Sequence, residues 1–303
     1  MDLLGVPGPG RWTLAPGPLT WGNERVPTRR TFLAALGGGA AGLLTGAAAG
    51  PLHDGAASPS PASGDERRGA TGDFGAPLRI GAHRVVWSLP ATANAVAITF
   101  DDGPTWAFTP RVLDALAAAG ATATFYVLGA SVVSSPGLVR EVLAAGHEIG
   151  NHTWSHRDLT RLSLQETRDQ ITRCAHTVED LTGRPAVGFR PPRGELTGYA
   201  LRVCAELGYD VHMWSCTRGP GDDRDPAAVA AYVGRTAAPG DVVGLHDGIG
   251  RGTFNPQAAF ARQLTTRREV EVRGLPDLLA RLGDRGLSVV SVGRLAAADP
   301  PET

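Results

Sequence analysis

Little in this sequence commits it to thiolate metal binding, nucleic acid or membrane. It has only three cysteines in 303 residues, Cys174, Cys204 and Cys216. None forms a C-x-x-C pair, which argues against a thiolate zinc site. In an oxidising compartment two of them could pair, or all three could be buried as small apolar residues. Lys and Arg number 29 against 30 Asp and Glu, giving a formal net charge of -1. No basic excess suggests a nucleic-acid partner, and no block of like charge suggests an interaction tail. There is no repeat of fixed period, and no uninterrupted apolar run approaches the roughly 18 residues that span a bilayer. What remains is a globular composition with 40 Gly and 23 Pro punctuating its connections, as expected where short strands and helices alternate.

The N-terminal region reads as processing signal and spacer. "TRRTFLAALGGGAAGLLTGAAAG" (28–50) opens on Arg29-Arg30 and continues through a weakly apolar Ala/Gly/Leu stretch to Ala47-Ala48-Ala49. This is the pattern of a cleaved twin-arginine export signal. It predicts a signal over 1–49 and a secreted or cell-wall-associated product without a membrane span. Residues 50–80 are rich in Pro, Ser, Gly and Asp, and such a segment buries too little apolar surface to offset its chain entropy. A flexible linker is expected there, followed by a single catalytic domain over 81–297.

In that domain short apolar runs alternate with helical patterns. Strands are predicted at Ala95–Phe100, Ala123–Leu128, His147–Gly150, Ala186–Phe189, Tyr209–Trp214, Asp241–Leu245 and Leu287–Ser291. Helices are predicted at Pro110–Ala119, Gly137–Ala145, Ser163–Leu181, Gly198–Leu207, Pro226–Ala237 and Gly274–Gly283. Ser163 with Glu166 has the spacing of a capping box, and Gly183 that of a stop. Alternating strands and helices imply parallel βα units. The expected fold is therefore α/β, a distorted or incomplete (β/α) barrel of about seven parallel strands. A doubly wound open sheet is the alternative.

In a (β/α) barrel the chemistry sits beyond the C-terminal ends of the strands. The unusual polar residues fall there: Asp101-Asp102, "NHTWSH" (151–156), "FRPPRG" (189–194) and His246-Asp247. His152 and His156 are four apart, which on a helical turn would place both imidazoles on one face for a shared divalent metal. A carboxylate that binds a metal has its lone pairs committed. A second one is then needed to take the proton of an attacking water, which explains adjacent aspartates better than a turn does. Arg190, fixed by two prolines, could orient such a carboxylate. His246 could protonate a leaving group.

These four motifs, in this order, resemble the polysaccharide deacetylase family of carbohydrate esterases, with similarity over roughly 90–295. The resemblance implies hydrolysis of acetyl groups, most often N-acetyl groups of chitin-type or peptidoglycan glycans. It implies Asp101 as base, Asp102, His152 and His156 as metal ligands, Arg190 as the residue positioning the base, and His246 as the acid. Zinc is the implied metal, with cobalt or another divalent ion also fitting. Asp222 is the implied partner of His246, and Pro192, Arg193, Trp214 and Leu245 are the implied substrate contacts. The partner is then an acetylated glycan, and a monomer is expected. Two positions depart from the family pattern: Asp223 stands where a groove tryptophan is usual, and Arg193 where an aromatic is usual. Arg193 would make the pocket cationic. Two other readings use the same residues: an O-acetyl (xylan) esterase, and a non-catalytic glycan-binding cell-wall protein.

Overall fold

A computed structural model describes residues 83–90, 93–219 and 225–297 of the chain. The expected signal, the linker, Asp222 and Asp223 lie outside the described residues. The strands are β1 (Val85–Val86), β2 (Ala95–Asp101), β3 (Thr124–Val127), β4 (Glu148–Asn151), β5 (Val211–His212), β6 (Cys216–Thr217), β7 (Val242–His246) and β8 (Ser288–Val290). The helices are α1 (Thr109–Ala118), α2 (Gly129–Ser134), α3 (Pro136–Ala144), α4 (Leu164–Thr182), α5 (Gly198–Leu207), α6 (Pro226–Thr236), α7 (Ala259–Asp284) and α8 (Val292–Ala297).

All seven residues of β2, "AVAITFD", are buried. Parallel strands covered on both faces read as continuous apolar runs rather than alternating ones, and β2 is such a run. It is the hub of a parallel sheet ordered β4-β3-β2-β7-β6, with β8 pairing the first three residues of β2. Beyond β4 the wall continues through single parallel bridges from Asn151 to Phe189 and from Phe189 to Val211. These lead to β5, which pairs with β1. The described strands curve without closing into a ring of ladders, which is the expected incomplete (β/α) barrel. Val96, Ile98 and Phe100 from β2 share one core with Phe125 and Leu245. Each such fully buried side chain contributes about 1.5–3 kcal/mol.

The helix cues of the sequence operate as expected at α4. Ser163 and Glu166 form both halves of the capping box, and Gly183 ends the helix in the left-handed region. Other expectations shift. The predicted strand Ala186–Phe189 shrinks to the bridging residue Phe189, because Gly188 lies hard against the His212 ring and prolines bracket the segment. The predicted strand Tyr209–Trp214 forms a ladder only at Val211–His212, and the chain then re-enters the sheet at β6. The predicted helix Gly274–Gly283 is only the last part of α7. A Cβ at Gly274 would stand 2.6 Å from the Pro226 carbonyl oxygen, so α6 and α7 approach closely at that glycine. The three cysteines are buried free thiols. No helix among the described residues is long and apolar enough to cross a membrane.

Candidate active site

β2 delivers both aspartates. Asp101 is its last residue, opposite Tyr126 of β3 and His246 of β7. Asp102 follows with φ of 78°, a left-handed turn that an aspartate adopts more readily than most residues. The two carboxylates therefore leave the strand in different directions and meet different partners.

Asp102 meets the histidines. Its Oδ1 lies 3.2 Å from His156 Nε2 and 3.6 Å from His152 Nε2. These three donors lie within 4.8 Å of one another. The histidines are not on a helical turn. His152 directly follows β4, and the chain bends back through Thr153 and His156, with φ of 75° and 56°, to bring the rings together. His152 Nδ1 lies 2.8 Å from the Arg190 carbonyl oxygen. A carbonyl can only accept, so Nδ1 carries the proton and Nε2 presents a lone pair. Burial lowers the pKa of His152, which keeps the ring neutral. Asp102 Oδ1 is buried and has no hydrogen-bond partner, although it faces both Nε2 atoms. Burial alone would push the Asp102 carboxyl up, but nearby positive charge, with Arg268 bonded to its Oδ2, holds it at about 2. An ionised oxygen and a neutral imidazole lone pair turned toward one point fit a divalent cation between them.

Asp101 meets Arg190. The guanidinium is fully buried and donates from Nη1 to Asp101 Oδ1 at 2.8 Å and to Thr99 Oγ1 at 2.6 Å. Nε donates to the His212 carbonyl at 3.0 Å and Nη2 to the Met213 carbonyl at 2.7 Å. The Tyr126 ring lies under the guanidinium at 4.0 Å. Burial, then the positive Arg190 and Arg84, pushes His212 down to about 3. Nδ1 of this neutral ring shares a hydrogen bond of 2.6 Å with the Tyr126 hydroxyl. Asp101 thus has one oxygen fixed from behind and is not drawn into the metal-type cluster.

Close packing holds the two halves together. A Cβ at Gly248 would run into the Asp102 carbonyl. Gly248→Ala is therefore expected to destabilise the fold by about 1–3 kcal/mol and to weaken divalent-ion binding about 10–100-fold. Denaturant melts and chelator competition measure the two effects; binding as tight as the parent's would show that the Asp102 turn tolerates displacement.

These groups open into a cavity of about 300 Å³ whose wall includes Trp214, His246, Arg193 and Arg251. Trp214 is placed as expected. Leu245 is not, because strand side chains alternate and residue 245 points into the core while 246 reaches the site. On the 246 face the preceding position is Gly244, against which Trp214 packs. Pro192 is buried and does not line the cavity. Arg193, with φ of 60°, reaches the cavity edge, but its guanidinium pairs with Asp158 at 2.7 Å and Glu195 at 2.6 Å. The expected cationic pocket is thereby largely neutralised at this residue.

Two site residues escape a sequence reading, Arg268 and Glu271 of α7. Both are buried. Arg268 Nη2 donates to Asp102 Oδ2 at 3.1 Å and Nε to the Gly248 carbonyl at 2.8 Å. Glu271 Oε2 lies 3.0 Å from His246 Nδ1. They sit in "TTRREVEVRG" (265–274), which reads as a solvated charged helix; only their three-residue spacing hints that they share a face.

The polysaccharide deacetylase family matches residues 89–212. A peptidoglycan-N-acetylglucosamine deacetylase of Bacillus cereus is 37% identical over 182 residues, 59% of this chain and 84% of that protein. The chain belongs to the polysaccharide deacetylase family. A chitooligosaccharide deacetylase of Sinorhizobium fredii is 34% identical over 205 residues, 66% of this chain and 91% of the relative. The solved structure of the Bc1960 peptidoglycan N-acetylglucosamine deacetylase aligns with a TM-score of 0.61 at 28% identity, covering 70% of this chain and 92% of that one. In this polysaccharide deacetylase the matched span carries Asp101, Asp102, His152, His156 and Arg190, while His246 and α7 lie beyond it.

Proposed function

We propose that this deacetylase removes N-acetyl groups from glucosamine units of a cell-wall-type glycan outside the membrane, with a divalent ion, zinc by preference, as cofactor. The observation that carries the reading is the unpartnered Asp102 Oδ1 facing two imidazole nitrogens, one residue from a carboxylate held by a buried arginine. The relatives' names, for peptidoglycan-N-acetylglucosamine and chitooligosaccharide, support the substrate class. The Arg29-Arg30 pattern supports export. A mixed nitrogen and oxygen donor set with three protein ligands suits zinc in an open catalytic site.

Asp102, His152 and His156 would hold the ion, which when bound supplies a Lewis acid for the acetyl carbonyl and makes water a better nucleophile near neutral pH. Asp101 takes the proton of the attacking water with its remaining oxygen. Arg190 keeps that carboxylate from swinging toward the ion. The Arg193 N–H is the backbone donor we assign to the developing oxyanion. His246 gives a proton to the nitrogen as the C–N bond breaks, so acetate and a free amine leave.

The test is acetate release by the purified chain with zinc or cobalt, on chitin oligomers, peptidoglycan and acetylxylan. Release from a glucosamine polymer, abolished by a chelator and restored by the ion, is the expected result. Release from acetylxylan alone would make the protein an O-acetyl esterase. Glycan binding with no release from any substrate would make it a non-catalytic wall protein.

A further inference from the structure

The helix α7 carries a buried carboxylate on a face that otherwise buries Leu275, Leu278 and Leu282. Glu271 is 3% exposed and Arg268, one turn earlier, 5%. Removing such charges from water costs several kcal/mol per ion unless partners replace the solvent. Glu271 has them on both oxygens. Oε1 lies 3.4 Å from Arg268 Nη1 and 3.5 Å from Arg218 Nε, and Oε2 lies 3.0 Å from His246 Nδ1. Arg268 is itself tied to Asp102 and to the Gly248 carbonyl, so Glu271 is braced from the half of the site that carries Asp102.

We infer that Glu271 is the positioning residue of the proton-donating His246, the task that family resemblance assigns to Asp222. The inference rests on the deacetylase reading above. Ionised Glu271 can only accept, so the ring places its Nδ1 proton there and turns Nε2 toward the cavity. Without the carboxylate the imidazole can rotate or change tautomer, and the nitrogen that must protonate the amine is no longer fixed. The carboxylate comes from a helix 25 residues after His246, whereas Asp222 precedes the histidine in the chain.

The amide and ester reactions separate this role from a structural one. An amine leaving group needs a proton, whereas the phenolate of 4-nitrophenyl acetate leaves without one. In the metal-loaded full chain, Glu271→Gln is expected to lower kcat for acetate release from chitin oligomers or peptidoglycan by about 10²-fold. KM and bound metal should stay near the parent values, and ester hydrolysis should fall far less. Glu271→Asp, which keeps the charge, should recover part of the loss. Equal losses on amide and ester would overturn the proposal, as would an amide-selective loss in Asp222→Asn that Glu271→Gln does not show.

A second readout needs no turnover. Proton–nitrogen NMR of the His246 ring should show Nδ1 protonated in the parent and a mixture of tautomers in Glu271→Gln. An unchanged tautomer would also overturn the inference. If the parent releases no acetate from any glycan, the deacetylase reading fails, and this ring measurement still decides whether Glu271 sets the histidine.

Discussion

Asp101→Asn is expected to lower kcat for acetate release by about 10²–10⁴-fold while leaving divalent-ion affinity essentially intact. The substitution is isosteric, and an amide oxygen can still accept from Arg190 Nη1, which lies 2.8 Å from Asp101 Oδ1. Thr99, His212 and Met213 keep their own bonds to the guanidinium, so the site should not collapse. Only the capacity to take a proton disappears. Asp101 is also absent from the trio of Asp102, His152 and His156 whose donors converge. The decisive pair of measurements is single-turnover acetate release and metal content after dialysis. Retained turnover would move the base elsewhere, and loss of the ion would make Asp101 a ligand.

Arg190→Met should be the most damaging single change to stability, costing about 3–5 kcal/mol. Arg190 is the largest fully buried side chain among the described residues, and a methionine fills much of its volume without its charge. Four acceptors then lose their donor at once: Asp101, Thr99 Oγ1 and the carbonyls of His212 and Met213. Asp101 would become a nearly buried carboxylate with no counter-charge, and the two carbonyls belong to the segment leaving β5. Such a cost is a large part of the roughly 5–15 kcal/mol that holds an ordinary domain folded. Urea unfolding read by tryptophan fluorescence measures it. Arg190→Lys should remain destabilised, since one ammonium cannot reproduce the planar fork. A Met variant within about 1 kcal/mol of the parent would mean that solvent or another donor reaches these acceptors; losses of that size are ordinary for single substitutions.

The parts of the site legible in the sequence are those whose physics is local. β2 and β7 announce themselves as apolar runs, and the residues at their ends need only strand geometry to share a face. Ser163 and Glu166 lie three apart and complete their cap within one turn. The histidine spacing names two rings that the fold does bring together, but a loop with left-handed residues joins them where a helical turn was expected. What was not legible depends on distant contacts. Phe189 bridges two strands without forming one, and the inward face of α7, apolar at Leu275, Leu278 and Leu282, carries the charged Arg268 and Glu271 one and two turns earlier. Their partners Asp102 and His246 lie 166 and 25 residues away. A charged residue buried by a remote partner has the same local sequence as one on the surface.

The four non-glycine residues of positive φ among the described residues are Asp102, Thr153, His156 and Arg193. Asp102 and His156 belong to the candidate ligand set, Thr153 lies in the loop between the two histidines and Arg193 edges the cavity, so the strain is confined to the site. Conformations of this kind cost about 1–3 kcal/mol each, more for a β-branched threonine than for an aspartate. A selection for heat resistance alone would therefore find its gains here, accepting glycine or asparagine at Thr153 or Arg193. The sturdiest descendants of this chain and its active ones would part company at these positions.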